Sequence, residues 1–312
     1  MKHLILNRKE DLDYAIENNE IDEKLLNSIQ QVKIRETPFF KGLFNRYSLK
    51  ESVSNKEWIK EAIEICKKRK EHNQVLFLKT ILFRTTNDLY TQYEHGHSIN
   101  GIETKDNLRL YPRKLGTLIG GPAYLKKDVR AFIYRDFIEI DMTNSHWNLF
   151  CIYCLKKNLT PELWSSIKRL TKEREFILDC IQENDNISRL EAKTLLLQTL
   201  YGGGIPSMCS VKSLLKNAQN EIKYIMQETC CSSYSYLSAR LQQLEVSLIK
   251  DLMNTIAPCC SRMCYVYDGI LLKPAQGFKT QDIKNHLDDF IIKQPKEYKE
   301  FIKFKFIVPL LN

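Results

Sequence analysis

Four charged side chains and a tyrosine carry the chemistry that this sequence suggests. In RLEAKTLLLQTLYGGG (189–204), Arg189 and Lys193 stand four apart and share one face of a helix, and Tyr201 follows two turns later near that face. Three glycines then end the helix. A polyphosphate with a ring at one end fits such a face. Asp141 closes the strand-like run FIYRDFIEID, and Asp268 interrupts the run CYVYDGILL. As neighbours in one sheet, the two carboxylates would emerge at the same edge. Paired in that way they can hold two Mg2+ ions about 4 Å apart, one activating a nucleophile and one steadying a leaving group; Mn2+ is the alternative ion. Each aspartate alone also reads as a turn residue, and the helix face alone as ordinary surface.

The elements that must position these residues follow from periodicity. Residues 1–104 read as a helical N-terminal region, with apolar residues at helical spacing in DLDYAIENN, EKLLNSIQQV, KEWIKEAIEICKKRK and NQVLFLKTILFRTTNDLYTQY. HGHSINGIETKDN (95–107) reads as a linker, and the following segment, with Pro112, Gly116, Gly120, Gly121 and Pro122, as too broken for long regular structure. A strand is expected over 132–141 and a helix over NSHWNLFCIYCLKKN. Further helices are expected over 161–184, 188–200, 207–229, 235–256 and 279–293. A hairpin turning at Asp268–Gly269 and a last strand over 301–309 complete the reading. The fold class is α/β (α+β).

The 312 residues suffice for one large domain or two, and 43% hydrophobic and 27% charged content are ordinary for a globular protein. No apolar run approaches the roughly 20 residues of a membrane span, and MKHLILNRKEDLDYAIENNE lacks a signal-peptide pattern. Ten cysteines, two pairs of them adjacent, suit reduced thiols, so an intracellular location (cytoplasm or nucleus of a host) without a membrane partner is expected. The net charge of +9 is uneven: residues 105–136 hold eight Lys/Arg against three Asp/Glu, and KKRK stands at 67–70. Basic patches favour phosphate backbones, although KKRK alone reads more readily as a solvated helix face.

R-x3-K-x7-Y-G, present as Arg189, Lys193, Tyr201 and Gly202, resembles the fingers-helix motif of family A DNA polymerases and the related single-subunit phage RNA polymerases. Asp141 in IEIDMTNSH is similar to that superfamily's first metal-binding motif, and Asp268 in YVYDG to its second. RLYP (109–112), VRAFI (129–133) and QQLEVSLIKDLM (242–253) are similar to its flanking segments, so the resemblance covers about 107–273. The histidine after the first aspartate and the Asp-Gly pair are closest to the transposon- and virus-encoded branch.

The resemblance implies a right-hand polymerase. It would have an antiparallel palm sheet and helical fingers at about 161–230, within a unit spanning 105–312, and a small thumb-like N-terminal region, 1–104. It further implies template-directed nucleotidyl transfer, most naturally by a DNA-directed DNA polymerase replicating a virus, plasmid or transposon. The alternatives are a single-subunit RNA polymerase or primase, or an inactive nucleic-acid-binding derivative. Asp141 and Asp268 would ligate both metals, with the backbone carbonyl of Met142 completing a site. Lys193 would contact the α-phosphate and protonate pyrophosphate, and Arg189 would hold the terminal phosphates. Tyr201 would pack at the sugar, while Gly202 to Gly204 would let a template approach. Arg109 and Arg130 would face the primer–template. The implied partners are primer–template nucleic acid, nucleoside triphosphates and a replicative helicase or primase.

The pattern also departs from that family. His146 stands where family A enzymes place a glutamate against ribose, which leaves sugar choice open, and a structural histidine is the competing reading. Leu197 replaces the aromatic that stacks on the incoming base. Gly269 replaces an acid, for which Glu245 is a substitute or else a salt-bridge partner. Cys151 and Cys154 form a CxxC within a helix, where buried thiols are favoured over a zinc site.

Overall fold

The structure is a computed structural model. It describes residues 55–86 and 121–308, residue 53, and the strands among residues 40–112 named below. The expected helices in DLDYAIENN and EKLLNSIQQV, and Arg109, lie outside the described residues. In chain order the elements are β1 (Phe40–Leu43), β2 (Arg46–Leu49), α1 (Lys56–Lys68), α2 (His72–Thr86), β3 (Thr91–His95), β4 (Ser98–Ile99), β5 (Ile102–Glu103) and β6 (Leu110–Pro112). There follow α3 (Lys127–Ile133), β7 (Ile138–Met142), α4 (Ser145–Lys156), α5 (Ser165–Lys172), α6 (Arg174–Asp185), α7 (Arg189–Leu200), α8 (Lys212–Glu228) and α9 (Tyr234–Ile256). The last are β8 (Cys260–Val266), β9 (Gly269–Pro274), α10 (Thr280–Ile292) and β10 (Phe304–Ile307).

The protein is thus a mixed α/β structure whose main sheet has four antiparallel strands in the order β10-β7-β9-β8. The register pairs Asp141 with Gly269 on β9 and with Lys305 on β10. Strand alternation sorts the side chains. Ile138, Ile140 and Met142 join Met263, Tyr265, Ile270 and Leu272 in the larger core, under the helices from α4 to α10. Cys264, Val266 and Leu271 point the other way, into a smaller core with α1, α2 and α3. Glu139 and Asp141 alternate with the first set, so they belong to this second face.

Several sequence expectations change here. The strand expected over 132–141 begins only at Ile138, because Lys127–Ile133 winds into α3 after the proline- and glycine-rich stretch. The hairpin loop is Tyr267–Asp268 rather than Asp268–Gly269: Val266 pairs with Gly269, and Tyr267 takes the left-handed conformation at φ 52°. In the N-terminal region, TQYEH is strand β3, not the tail of a helix, in a second sheet ordered β1-β2-β3-β6. β4 and β5 pair within the expected linker. Tertiary strand pairing overrides local helix preference in such short stretches.

α7 forms as its sequence predicts, with ends fixed by hydrogen bonds. The Glu191 N–H donates to Ser188 Oγ (3.2 Å) and the Ser188 N–H to Glu191 Oε2 (2.7 Å), a reciprocal cap. At the other end the Gly203 N–H donates to the Gln198 carbonyl (2.8 Å) while Gly202 takes φ 76°. A β-carbon on Gly202 would lie 2.3 Å from the Tyr234 ring, so this position needs glycine on both counts. Among the described residues no helix is long and apolar enough to cross a membrane.

Candidate metal and nucleotide site

β7 and β9 bring the two aspartates together. Asp141 is the fourth residue of β7, opposite Gly269, and Asp268 ends the hairpin loop directly before β9. The Met142 N–H donates to the Asp268 carbonyl (2.9 Å), extending the ladder by one bond and fixing the loop against β7. Ser145 Oγ, on the first turn of α4, donates to Asp268 Oδ2 (2.8 Å). A β-carbon on Gly269 would sit 2.7 Å from the Ile140 carbonyl and 3.1 Å from Asp141 Oδ1, so only glycine leaves the Asp141 carboxylate its place. Gly269 stands where a further acid was expected, and this crowding is the physical reason it cannot be one.

A cleft of about 100 Å³ opens at this edge, lined among others by Arg130, Glu139, Asp141, Tyr267, Asp268 and Gly269. The Asp141 carboxyl is pushed up from 3.8 to about 6, first by burial and then by the charges of Asp268 and Glu139, against the pull of Lys127 and Lys305. Burial first and neighbouring acids second raise a carboxyl in this way, and a bound cation would oppose the shift. No hydrogen bond or ion pair joins either carboxylate to a basic side chain among the described residues.

The raised value has a consequence for stability. Between 3.8 and about 6 the folded protein holds a proton on Asp141 that the unfolded chain releases. The contribution of this group is therefore full below the lower value and lost as pH rises through the upper one. Metal-free thermal melts of the unmodified protein and Asp141→Asn are expected to diverge with pH, the unmodified protein losing midpoint relative to the variant from pH 4 to pH 7. Millimolar Mg2+ at pH 7 should reverse that relative loss. Parallel profiles for the two proteins would contradict the assignment.

The helix residues make no direct hydrogen bond or ion pair with the two aspartates. Tyr201 is drawn to this end of the sheet by a 2.7 Å hydrogen bond between its hydroxyl and His146 Nδ1, with the rings edge to face. Lys193 is exposed and makes no ion pair with a described residue. Arg189 is half-buried and paired with Glu175 and Asp179 of α6, and it also donates to Gln182 Oε1 (3.0 Å). A phosphate-holding role for Arg189 would require those acids to let go. No hydrogen bond or ion pair joins Arg189 or Lys193 to Asp141 or Asp268. Leu197 is 41% exposed on the same side of α7 as Lys193. Gly202 and Gly203 serve the helix end, as described above. Arg130 lines the aspartate cleft.

Other expectations resolve by burial. Cys151 and Cys154 are fully buried core thiols; burial pushes Cys151 up to about 12 and Cys154 higher still. Glu245 is buried and bonded, and it does not line the cleft. In the KKRK cluster, Lys67 pairs with Glu64 (2.7 Å) and Arg69 with Asp128 (2.8 Å), as a solvated helix face does. The sequence reading missed Ser145, Glu139, Lys127 and Lys305. The two-residue strand period places Glu139 beside Asp141 and was the one available signal.

The donor set suits a hard divalent cation. Magnesium takes oxygen ligands and usually binds through one or two carboxylates, with water and substrate phosphate completing the shell. Among the described residues no group of three or more His, Cys, Asp or Glu could hold a metal unaided. Two carboxylates would leave most of such an ion's coordination shell to other ligands.

No family model matches this sequence. It is similar to a protein of the Sputnik virophage named "Putative helicase V13", with 27% identity over 274 residues. The alignment takes in 74% of this chain but 34% of the relative, so the chain spans about a third of that protein's length. This finding corrects the expectation of a DNA-directed DNA polymerase, together with its RNA polymerase, primase and inactive-derivative alternatives: the similar protein carries a helicase's name.

Proposed function

We propose that the chain is a nucleotide- and nucleic-acid-handling part of a helicase-type protein, and that the Asp141–Asp268 edge binds a nucleoside triphosphate with Mg2+ (or Mn2+) and supports its hydrolysis. The observation that carries this reading is the juxtaposition of the two carboxylates, one on β7 and one in the loop before β9, with no basic side chain among the described residues hydrogen-bonded to either. The name of the virophage relative supports a role with nucleotides and nucleic acid. The sequence contains no G-x4-G-K-[ST] phosphate loop, so nucleotide chemistry in these residues would have to use another site.

A bound divalent ion would polarise the phosphate and lower the pKa of a coordinated water. The protein's part is positional. Ser145 holds one oxygen of Asp268 and leaves the other for a ligand. Arg130, which lines the cleft, offsets the negative charge at the phosphate. Attack of water on the terminal phosphorus would break its bond to the β–γ bridging oxygen, yield the nucleoside diphosphate and inorganic phosphate, and release the water's proton to solvent. Lys193 and Tyr201 are the side chains that α7 would offer to the phosphates and the sugar.

The likeness of motif order to the family A polymerase superfamily enters here as a proposal about architecture alone. On that reading the β10-β7-β9-β8 sheet corresponds to a palm, the helices over 161–230 to fingers, and residues 1–104 to a thumb-like region.

Phosphate release by the purified chain, with each of the four ribonucleotides, with and without a single-stranded oligonucleotide, tests the function. Turnover that needs Mg2+ and rises with the strand is expected. No release under any of these conditions would end the hydrolysis reading.

A further inference from the structure

The aspartate cleft continues into a larger groove. Arg130, Glu139 and Leu271 line both, and the groove, of about 350 Å³, adds Lys127, Arg135 and the rings of Tyr134 and Phe137. Three cations therefore stand around it against one acid, Glu139. Lys127, Arg130 and Arg135 make no ion pair with a described residue. Arg135 is instead held by stacking, its guanidinium carbon 4.0 Å from the centre of the Trp58 ring and 4.9 Å from that of Phe132. Stacking fixes the guanidinium plane and leaves its N–H edge free to donate. The rest of the lining is apolar: Tyr134, Phe137 and Leu271 are buried, and Ile307 and Val308 are 48% and 45% exposed.

We propose that this groove binds the backbone of a single-stranded nucleic acid and leads it past the Asp141–Asp268 edge. The inference rests on the nucleotide-handling reading of that edge. Charge complementarity selects a polyanion, and a guanidinium with a free edge suits phosphate oxygens. The apolar wall selects a single strand over a duplex. A single strand presents sugar and base faces that can pack on exposed aliphatic groups such as Ile307 and Val308, whereas a duplex turns its base faces inward.

Fluorescence anisotropy with a labelled oligonucleotide, repeated over a range of salt, tests the proposal. The double variant Lys127→Gln, Arg135→Gln is expected to bind about 20-fold more weakly at 0.1 M salt and to flatten the log–log salt slope by about 1.4. Exposed Lys216, on α8, serves as the off-groove control: Lys216→Gln should leave strand affinity within two-fold. Because Arg135 also packs on Trp58, Lys127→Gln alone provides a variant confined to an exposed side chain, with half the change in slope expected. Unchanged affinity and slope in both groove variants would overturn the proposal. So would an equal loss of affinity for Mg2+–nucleoside triphosphate, since the groove would then hold the triphosphate tail. Strand binding by this groove with no metal binding at the aspartates would uphold the proposal and sink the hydrolysis reading instead.

Discussion

Asp268→Asn is expected to weaken Mn2+ or Mg2+ binding at least about 100-fold and to abolish metal-dependent nucleotide turnover. The variant exchanges a carboxylate for an amide of the same shape, so the hairpin loop and the Ser145 contact can persist while the charge is lost. A hard cation gains most of its protein binding from carboxylate oxygens, and this edge offers two. Loss of a mere orienting partner typically costs ten- to roughly 100-fold in metal affinity. A direct ligand should cost at least the upper figure, and Ser145→Ala, which only frees Asp268 Oδ2, about ten-fold. The same substitution removes one of the charges that push Asp141 upward, so the Asp141 titration should move back toward the ordinary carboxylate range. Calorimetric titration with Mn2+ and an NMR titration of Asp141 check both parts. Metal affinity retained within two-fold in Asp268→Asn would remove Asp268 from the site.

The second large effect lies just outside the cleft. Asp136 sits in the turn between α3 and β7 with its side chain almost wholly buried, and its Oδ2 accepts a 2.6 Å hydrogen bond from Lys273 on β9. Its other oxygen is buried without a partner. This ion pair fastens the cationic α3 segment to the sheet. Lys273→Met would strand the carboxylate, and an abandoned buried charge typically costs about 3–5 kcal/mol. Lys273 is about a third exposed, so water can reach the site and the lower figure is expected. In a chain of this size that is a fall in melting midpoint of roughly 4–6 °C. Combining Lys273→Met with Asp136→Leu should recover most of the loss, because an apolar pair of similar volume leaves no charge to solvate. A single variant as stable as the parent would show that the ion pair contributes nothing.

How much of this was legible in the sequence varied with the range of the interaction that fixes each element. α4, α7 and α9 were readable because their apolar spacing is local; the reciprocal Ser188–Glu191 cap of α7 and the Ser233 cap of α9 went unread. Asp141 and Asp268 were readable as acids at strand ends, yet their pairing depends on the register of Asp141 with Gly269, which no local pattern states. Ser145 could not be found, since its partner lies 123 residues away. Arg189 looked free because its stripe was read along α7 alone. Glu175 and Asp179, four apart on α6, form the acidic stripe that meets it. TQYEH has no helical period of its own, and it becomes a strand by pairing with β2 and β6.

The strand order β10-β7-β9-β8 also governs when the site can exist. β7 leaves the ribosome before α4 to α9, but both its sheet neighbours, β9 and β10, follow them. Until they emerge, the strand bearing Asp141 has two unpaired edges and no partner carboxylate, while the helices from α4 to α9 can already pack on one another. Long-range closure of this kind is slow compared with helix formation. During synthesis the nascent chain should therefore pass through a stage with a helical body and an open, adhesive β7, and should acquire its affinity for divalent ions only with the final hairpin. A chaperone that shields bare strand edges would act in that interval.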